Sequence, residues 1–176
     1  SLVFSTDVAI IKNVNADAII AVYPFTPQPS ITQAIISVSE VPVFVGVGGG
    51  MTNGDRSVRL AEFSEHQGAS GVVVNAPISN ETIAKMKAVV DIPVVTTIVS
   101  GDMDIAGRLA AGADILNVSG ASRTPEIVTK IRAEFPTVPI IATGGPREED
   151  ILRTIEAGAN AITYTPPPPD SSSPTS

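Results

Sequence analysis

Apolar residues fall in short unbroken runs, separated by longer stretches in which apolar and polar positions are mixed. Unbroken β-branched runs mark strands buried on both faces, as in a parallel sheet. Eight runs qualify: Leu2–Ser5, Ala18–Tyr23, Val43–Val47, Val72–Asn75, Val94–Ile98, Ile115–Val118, Ile140–Thr143 and Ala161–Tyr164. The stretches between them predict seven helices. The first is short, capped by Thr6 or Asp7 and running to Val14. The others run from Ser30 to Val38, Asp55 to Gln67, Asn80 to Val90, Asp104 to Ala111, Thr124 to Phe135, and from near Pro146 to Ala157.

The junctions repeat. Val41-Pro42, Ile92-Pro93 and Val138-Pro139 each open an apolar run, and between them so do Gly68-Ala69, Gly112-Ala113 and Gly158-Ala159, with Asn15-Ala16 as a looser copy. Each form recurs about every 45 to 50 residues, as when one supersecondary unit of half that length has been laid down many times. Eight strands alternating with helices predict a compact (βα)8 TIM barrel. A doubly wound open sheet is the alternative, disfavoured because eight strands left open expose two edges. The barrel domain is expected over 1–165. The Pro/Ser-rich segment 166–176 cannot form the eighth helix and is expected to be a disordered tail. An apolar strip left uncovered by that helix predicts a homo-oligomer or a docked tail.

Composition narrows the partners. Apolar residues are 43% of the chain and aromatics only 4%, so the core is built from Val, Ile and Ala. The net charge of -7 argues against nucleic acid or an anionic membrane as partner. Without cysteine there are no disulfides, thiolate nucleophiles or Cys-ligated metals. No run reaches the roughly 20 residues of a membrane span and no signal-type segment opens the chain, so a cytoplasmic location is expected.

Barrel chemistry sits at the C-terminal ends of strands. Counted from the Gly-Ala pairs, one column holds Asn75, Ser119 and Thr165, and a deeper one holds Val73, Asn117 and Thr163. Counted from the Val/Ile-Pro pairs, a column holds Gly46, Thr97 and Thr143. If these point inward, the mouth is ringed by amides and hydroxyls; the opposite phase would put Val74, Thr96 and Val118 inside. We favour the polar phase, because polar strand ends buried against helices would lack partners. The glycine turns Gly48-Gly49-Gly50 and Gly144-Gly145 join strand ends to helix starts, where backbone N–H groups can bind an anion; they can equally be only tight turns.

The run Val138-Pro139-Ile140-Ile141-Ala142-Thr143-Gly144-Gly145-Pro146, followed by an acidic helix start and Glu156-Ala157-Gly158-Ala159-Asn160-Ala161-Ile162, resembles the last units of aldolase-type and ribulose-phosphate-binding barrels. It also resembles uncharacterised bacterial barrel proteins loosely labelled hydrolase or aldolase. The resemblance covers most of the chain in layout but only its last third in motif. It implies phosphate contact at Gly144 and Gly145 and a strand-end polar role for Thr143. The chain departs from the family after the eighth strand, where Thr165-Pro166-Pro167-Pro168-Pro169 replaces a Gly-Ser or Gly-Thr turn. Proline has no N–H to donate, so half the phosphate cradle is missing; Tyr164 and Thr165 offer hydroxyls instead.

A Schiff-base aldolase needs an inward lysine. Lys12, Lys85, Lys87 and Lys130 all fall on predicted helices, and Asn117 stands where the resemblance would place the lysine. The only histidine, His66, lies in a helix and is expected at the surface. Asp102 and Asp104 read as helix caps before they read as metal ligands. No metal site and no cofactor motif is evident, and a flavin barrel is weakened by the missing last turn. Asp7, directly after the first strand, is the candidate acid/base, although it can instead cap a helix. Arg56, Arg123 and Arg147 follow strands as candidate anion clamps. The sequence thus points to an enzyme of lyase or isomerase type acting next to a carbonyl on a small anionic metabolite. Asp7, Asn117 and Ser119 are its catalytic candidates; Asn75, Thr97, Thr143, Gly144, Gly145, Arg147, Gly48, Gly49 and Tyr164 are its ligand-binding candidates. The alternatives are a non-catalytic metabolite-binding or assembly module, or a hydrolase, for which no serine elbow or triad is visible.

Overall fold

The computed structural model describes residue 11, residues 15–145 and residues 147–165. The predicted strand Leu2–Ser5, nearly all of the helix after it, Pro146 and the tail 166–176 lie outside the described residues. The chain runs through β1 (Ile19–Ala21), α1 (Pro29–Val38), β2 (Val43–Gly48), α2 (Asp55–His66), β3 (Gly71–Val74), α3 (Asn80–Lys87) and β4 (Val94–Ile98). It continues through α4 (Ile105–Ala110), β5 (Ile115–Val118), a 3₁₀ turn (Ala121–Arg123), α5 (Thr124–Glu134), β6 (Ile140–Thr143), α6 (Glu148–Glu156) and β7 (Ala161–Thr163). Every predicted run from Ala18 onward is therefore a strand, trimmed or shifted by a residue or two at its ends.

The seven described strands form one sheet in sequential order, each parallel to the next. Sequential right-handed crossovers put all helices on one face, and the packing agrees. Val43, Val45, Val47, Val72, Val74 and Val94 are buried with Ile35 of α1, Ala61 of α2, and Ile83 and Met86 of α3. Ile98, Leu116, Val118, Ile140 and Ala142 are buried with Ile105 of α4 and with Ile127, Val128 and Ile131 of α5. Each such side chain contributes about 1.5–3 kcal/mol by leaving water. A doubly wound sheet would reverse its strand order and carry helices on both faces, so that alternative is overturned.

Among the described residues the opposite face carries no helix, yet Val73 is 3% exposed and Val95 is 0% exposed there. A flat sheet would leave these side chains in water. The sheet is instead rolled, with this face on its inside, as in part of a barrel.

The Gly-Ala repeat marks the N-terminal pole. Gly68, Gly112 and Gly158 all have φ between 101° and 112°, the left-handed conformation that ends a helix and that glycine adopts without strain. The side chain after the second and third of these pairs then ties neighbouring strands together. Asp114 accepts from the Val94 N–H at 2.8 Å and from Lys87 at 2.7 Å. Asn160 accepts from the Ile140 N–H at 2.9 Å and from Arg132 at 3.0 Å. This end of the sheet is committed to structure, which leaves the other end for chemistry.

Candidate functional site at the strand C-termini

Register decides which side chains share the inner face. Thr97 pairs with Asn117, and Thr143 with Thr163. Both pairs are joined by side-chain contacts at 3.5 Å, Asn117 Nδ2 to Thr97 Oγ1 and Thr163 Oγ1 to Thr143 Oγ1. These are long for hydrogen bonds and leave capacity unspent. Asn117 Oδ1 is buried and has no partner. Thr96 is fully buried in the other phase, on the helix side of the sheet. The polar phase is thus the inward one. With Ser119 just past β5 and Asn75 just past β3, the structure brings Asn75, Thr97, Asn117, Ser119 and Thr143 to one end of one face.

The β2–α2 glycine turn positions Asn75. Gly48 and Gly49 have φ of 142° and 104°. The Gly48 carbonyl accepts from the Asn75 N–H at 2.9 Å, and the Gly49 N–H donates to Thr52 O at 2.8 Å. A Cβ on Gly49 would stand 2.6 Å from the Asn75 nitrogen, so only glycine permits this approach. The Gly49 N–H is spent inside its own turn. Gly48 and Gly49 therefore have a structural reason to be glycine.

The β6–α6 turn is similarly occupied. The Gly144 N–H donates to Thr163 O at 2.9 Å, extending the sheet. Arg147, 70% exposed, grips Asp150 through Nε and Nη2, both at 3.1 Å. Its hydrogen bonds hold the Asp150 carboxyl below the usual aspartate range, and Asp150 in turn raises the pKa of Arg147. Glu148, Glu149 and Asp150 fill the first turn of α6 and already answer the positive end of its dipole. Tyr164 is 55% exposed, one residue past β7. Asp7 lies outside the described residues.

Other candidates resolve simply. His66 ends α2 and is exposed. Asp104 caps α4, accepting from the Gly107 N–H at 2.8 Å. Asp102 is exposed and pairs with Lys130 at 3.5 Å. Arg123 pairs with Glu126 at 2.9 Å, its hydrogen bonds lowering the glutamate's pKa, and Arg56 is exposed in the first turn of α2. Lys85, Lys87 and Lys130 are all on helices in ion pairs. Among the described residues no lysine reaches the inner face, and no three His, Asp or Glu side chains are gathered closely enough to hold a metal ion.

Two features escape sequence reasoning. Arg108 of α4 is buried and clamps the segment after β3. Its Nη2 donates to Ala76 O at 2.6 Å, and its Nη1 donates to Asn80 Oδ1 at 3.0 Å and to Ile78 O. Burial pushes its pKa down against the opposing pull of Asp104. An arginine near a helix end reads as surface; only the fold brings three acceptors to it. The second feature is a cavity of about 190 Å³ at the C-terminal ends of β1, β2 and β3, reaching from the inner face at Gly46, Val73 and Asn75 to the loop after β1.

No protein-family model and no curated protein sequence matches the chain. Solved structures do. A 4-hydroxy-tetrahydrodipicolinate synthase from Methylacidiphilum fumariolicum SolV superposes with a TM-score of 0.70 at 14% identity, over 92% of this chain and 61% of its own. A dihydrodipicolinate synthase from Bacillus anthracis gives 0.69 at 16%, over 93% and 63%. A 2,3-dimethylmalate lyase of the PEP mutase/isocitrate lyase superfamily gives 0.69 at 15%, over 90% and 71%. The chain thus spans about three fifths of the length of the synthases it matches. These neighbours are aldolase-type TIM barrel proteins, in line with the motif resemblance, and at such identities the likeness is one of fold.

Proposed function

We propose that this chain forms an aldolase-type (βα)8 barrel of lyase type, cleaving a small carbonyl compound at the C-terminal end of its sheet. The observation that carries the proposal is the inward polar floor with an unpartnered, buried Asn117 Oδ1. A buried polar atom without a partner costs about 1–3 kcal/mol, and such a cost is tolerated where a ligand supplies the partner. The fold shared with synthases and a lyase supports the choice of reaction class.

The chemistry follows from what the floor can donate. For a β-hydroxy carbonyl substrate, a base takes the proton from the β-hydroxyl and the Cα–Cβ bond breaks. Its electron pair moves to the carbonyl oxygen as an enolate, which is then protonated at Cα. In this reading Asn117 Nδ2 and the Thr97 and Thr143 hydroxyls hydrogen-bond that oxygen as its charge grows, while Asn117 Oδ1 accepts from a hydroxyl of the ligand. Ser119 and Asn75 orient the rest of the ligand. Asp7 is the base, chosen from its place in the sequence. No iminium step is invoked, since Asn117 stands where such a lysine would be.

A carboxylate on the substrate would be held by Arg147. Arg147 is solvent-exposed and its pair with Asp150 is screened by water, so an incoming anion can take its place. A second reading, ligand binding without turnover, is favoured by a floor with no charged side chain among the described residues. Incubation with a panel of β-hydroxy ketones and β-hydroxy acids separates the two. The lyase reading expects cleavage products, with Asp7→Asn losing about 100-fold or more in turnover while still binding ligand. Binding without product from any of the panel supports the second reading and rejects the first.

A further inference from the structure

The cavity beside the floor has a composition unlike the rest of the surface. None of the described residues that line it is charged, on a chain in which 16% of residues are. One wall is the stacked pair Tyr23 and Phe25, with ring centroids 5.1 Å apart and planes 20° from parallel. The deep wall is Ile31, Ile35 and Val45. Around it stand apolar side chains that water still reaches: Val22 at 44%, Phe25 at 42% and Met51 at 91% exposure. The polar groups of the described lining are neutral: the Thr26 and Thr52 hydroxyls, hydrogen-bonded at 3.2 Å, the Tyr23 and Thr32 hydroxyls, Gln28 and Asn75.

We propose that this cavity is a specificity subsite for an uncharged, ring-sized apolar group bearing at most one hydroxyl or carbonyl. The proposal rests on the floor being the reaction site, because Asn75, Gly46 and Val73 belong to both. Three arguments fix the ligand class. A carboxylate or phosphate entering here would lose its water and meet no cation among the described residues, which is costly in an apolar enclosure. The size suits one ring, since an apolar cavity of about 150 Å³ takes up benzene and this one is about 190 Å³. The flat Tyr23–Phe25 wall favours a planar occupant, which can extend the stack, and the hydroxyl pair at the rim gives a single polar substituent its partner. Any anionic part of the substrate is then directed away from this side of the mouth, toward Arg147.

The test is an amide-shift titration of the full chain at neutral pH with two probes of equal size, p-cresol and benzoate. The uncharged ring is expected to bind with a Kd of about 1 mM, moving the amides of Gly46, Gly50, Met51, Thr52 and Asn75. Benzoate is expected to bind at least about tenfold more weakly. Phe25→Ala, at a partly exposed position where folding is safe, should weaken p-cresol about fivefold or more. Gln28→Lys, at an exposed position, supplies the missing cation and should narrow or reverse the preference. Benzoate binding as well as p-cresol, shifts located elsewhere, no p-cresol binding at roughly 20 times the expected Kd, or an indifferent Phe25→Ala would each overturn the subsite. The cleavage assay reads the floor separately. Cleavage without ring binding rejects only the subsite, and ring binding without cleavage rejects only the reaction proposed for the floor.

Discussion

Thr96 Oγ1 and Asn117 Oδ1 are both buried without a hydrogen-bond partner, and the side of the sheet on which each lies gives it a different meaning. Thr96 faces the helices, where no ligand can reach, so its hydroxyl is a plain cost. Thr96→Val keeps the shape and removes the orphan; it should raise the unfolding free energy by about 1 kcal/mol in a denaturant titration, and a loss of stability would mean that the hydroxyl is satisfied. At the mouth, Asp150 is held below the ordinary aspartate range by Arg147. A carboxyl whose folded pKa is depressed adds stability that is present above its unfolded pKa, about 3.9, and is lost as pH falls through the lower folded value. A carboxyl-carbon NMR titration should therefore find the Asp150 midpoint below about 3.9, and Arg147→Ala should return it to the ordinary value. An unchanged midpoint would mean that Arg147 is already free to meet ligand.

Local patterns reach as far as single elements. β-Branched runs become strands, Asp104 becomes the cap of α4, and the Gly-Ala pairs become helix ends because left-handed glycine is a local requirement. The inner and outer phases were also legible, since amides and hydroxyls recur in one column of strand positions while mainly apolar residues fill the column that packs on the helices. Where tertiary geometry decides, reading from sequence stops. α1 begins at Pro29 rather than at Ser30, with proline in its first turn. α3 begins at Asn80 as expected but ends at Lys87, short of Val90, and Ser79 caps it, its hydroxyl accepting from the Thr82 N–H at 3.1 Å. A 3₁₀ turn over Ala121–Arg123, with Ala121 at φ 52°, precedes α5. Arg108 is the extreme case, because its partners lie about 30 residues back along the chain. Arg108→Met would strand Ala76 O, Ile78 O and Asn80 Oδ1. The expected cost is about 2–3 kcal/mol, with Arg108→Lys losing less and the Asn75 amide resonance moving in both. A silent Arg108→Met would mean that the loop after β3 holds Asn75 unaided.

At the scale of the molecule, one pole of the sheet is tied by Asp114, Arg132 and Asn160, while the other gathers amides and hydroxyls whose bonding capacity is not used up. A rolled sheet selected for stability alone would fill its interior with apolar side chains. This one keeps Asn117 and Thr97 at the centre, where in the proposed function they serve a ligand. Unfolding is a property of the whole chain, and it tests this claim most directly in Asn117→Leu, a change of similar size that removes the orphaned oxygen. The expected outcome is a more stable protein, by about 1–2 kcal/mol and roughly 2–8 °C in Tm, that no longer turns over substrate. A lower Tm would contradict this claim, because Asn117 would then be a structural residue of the core.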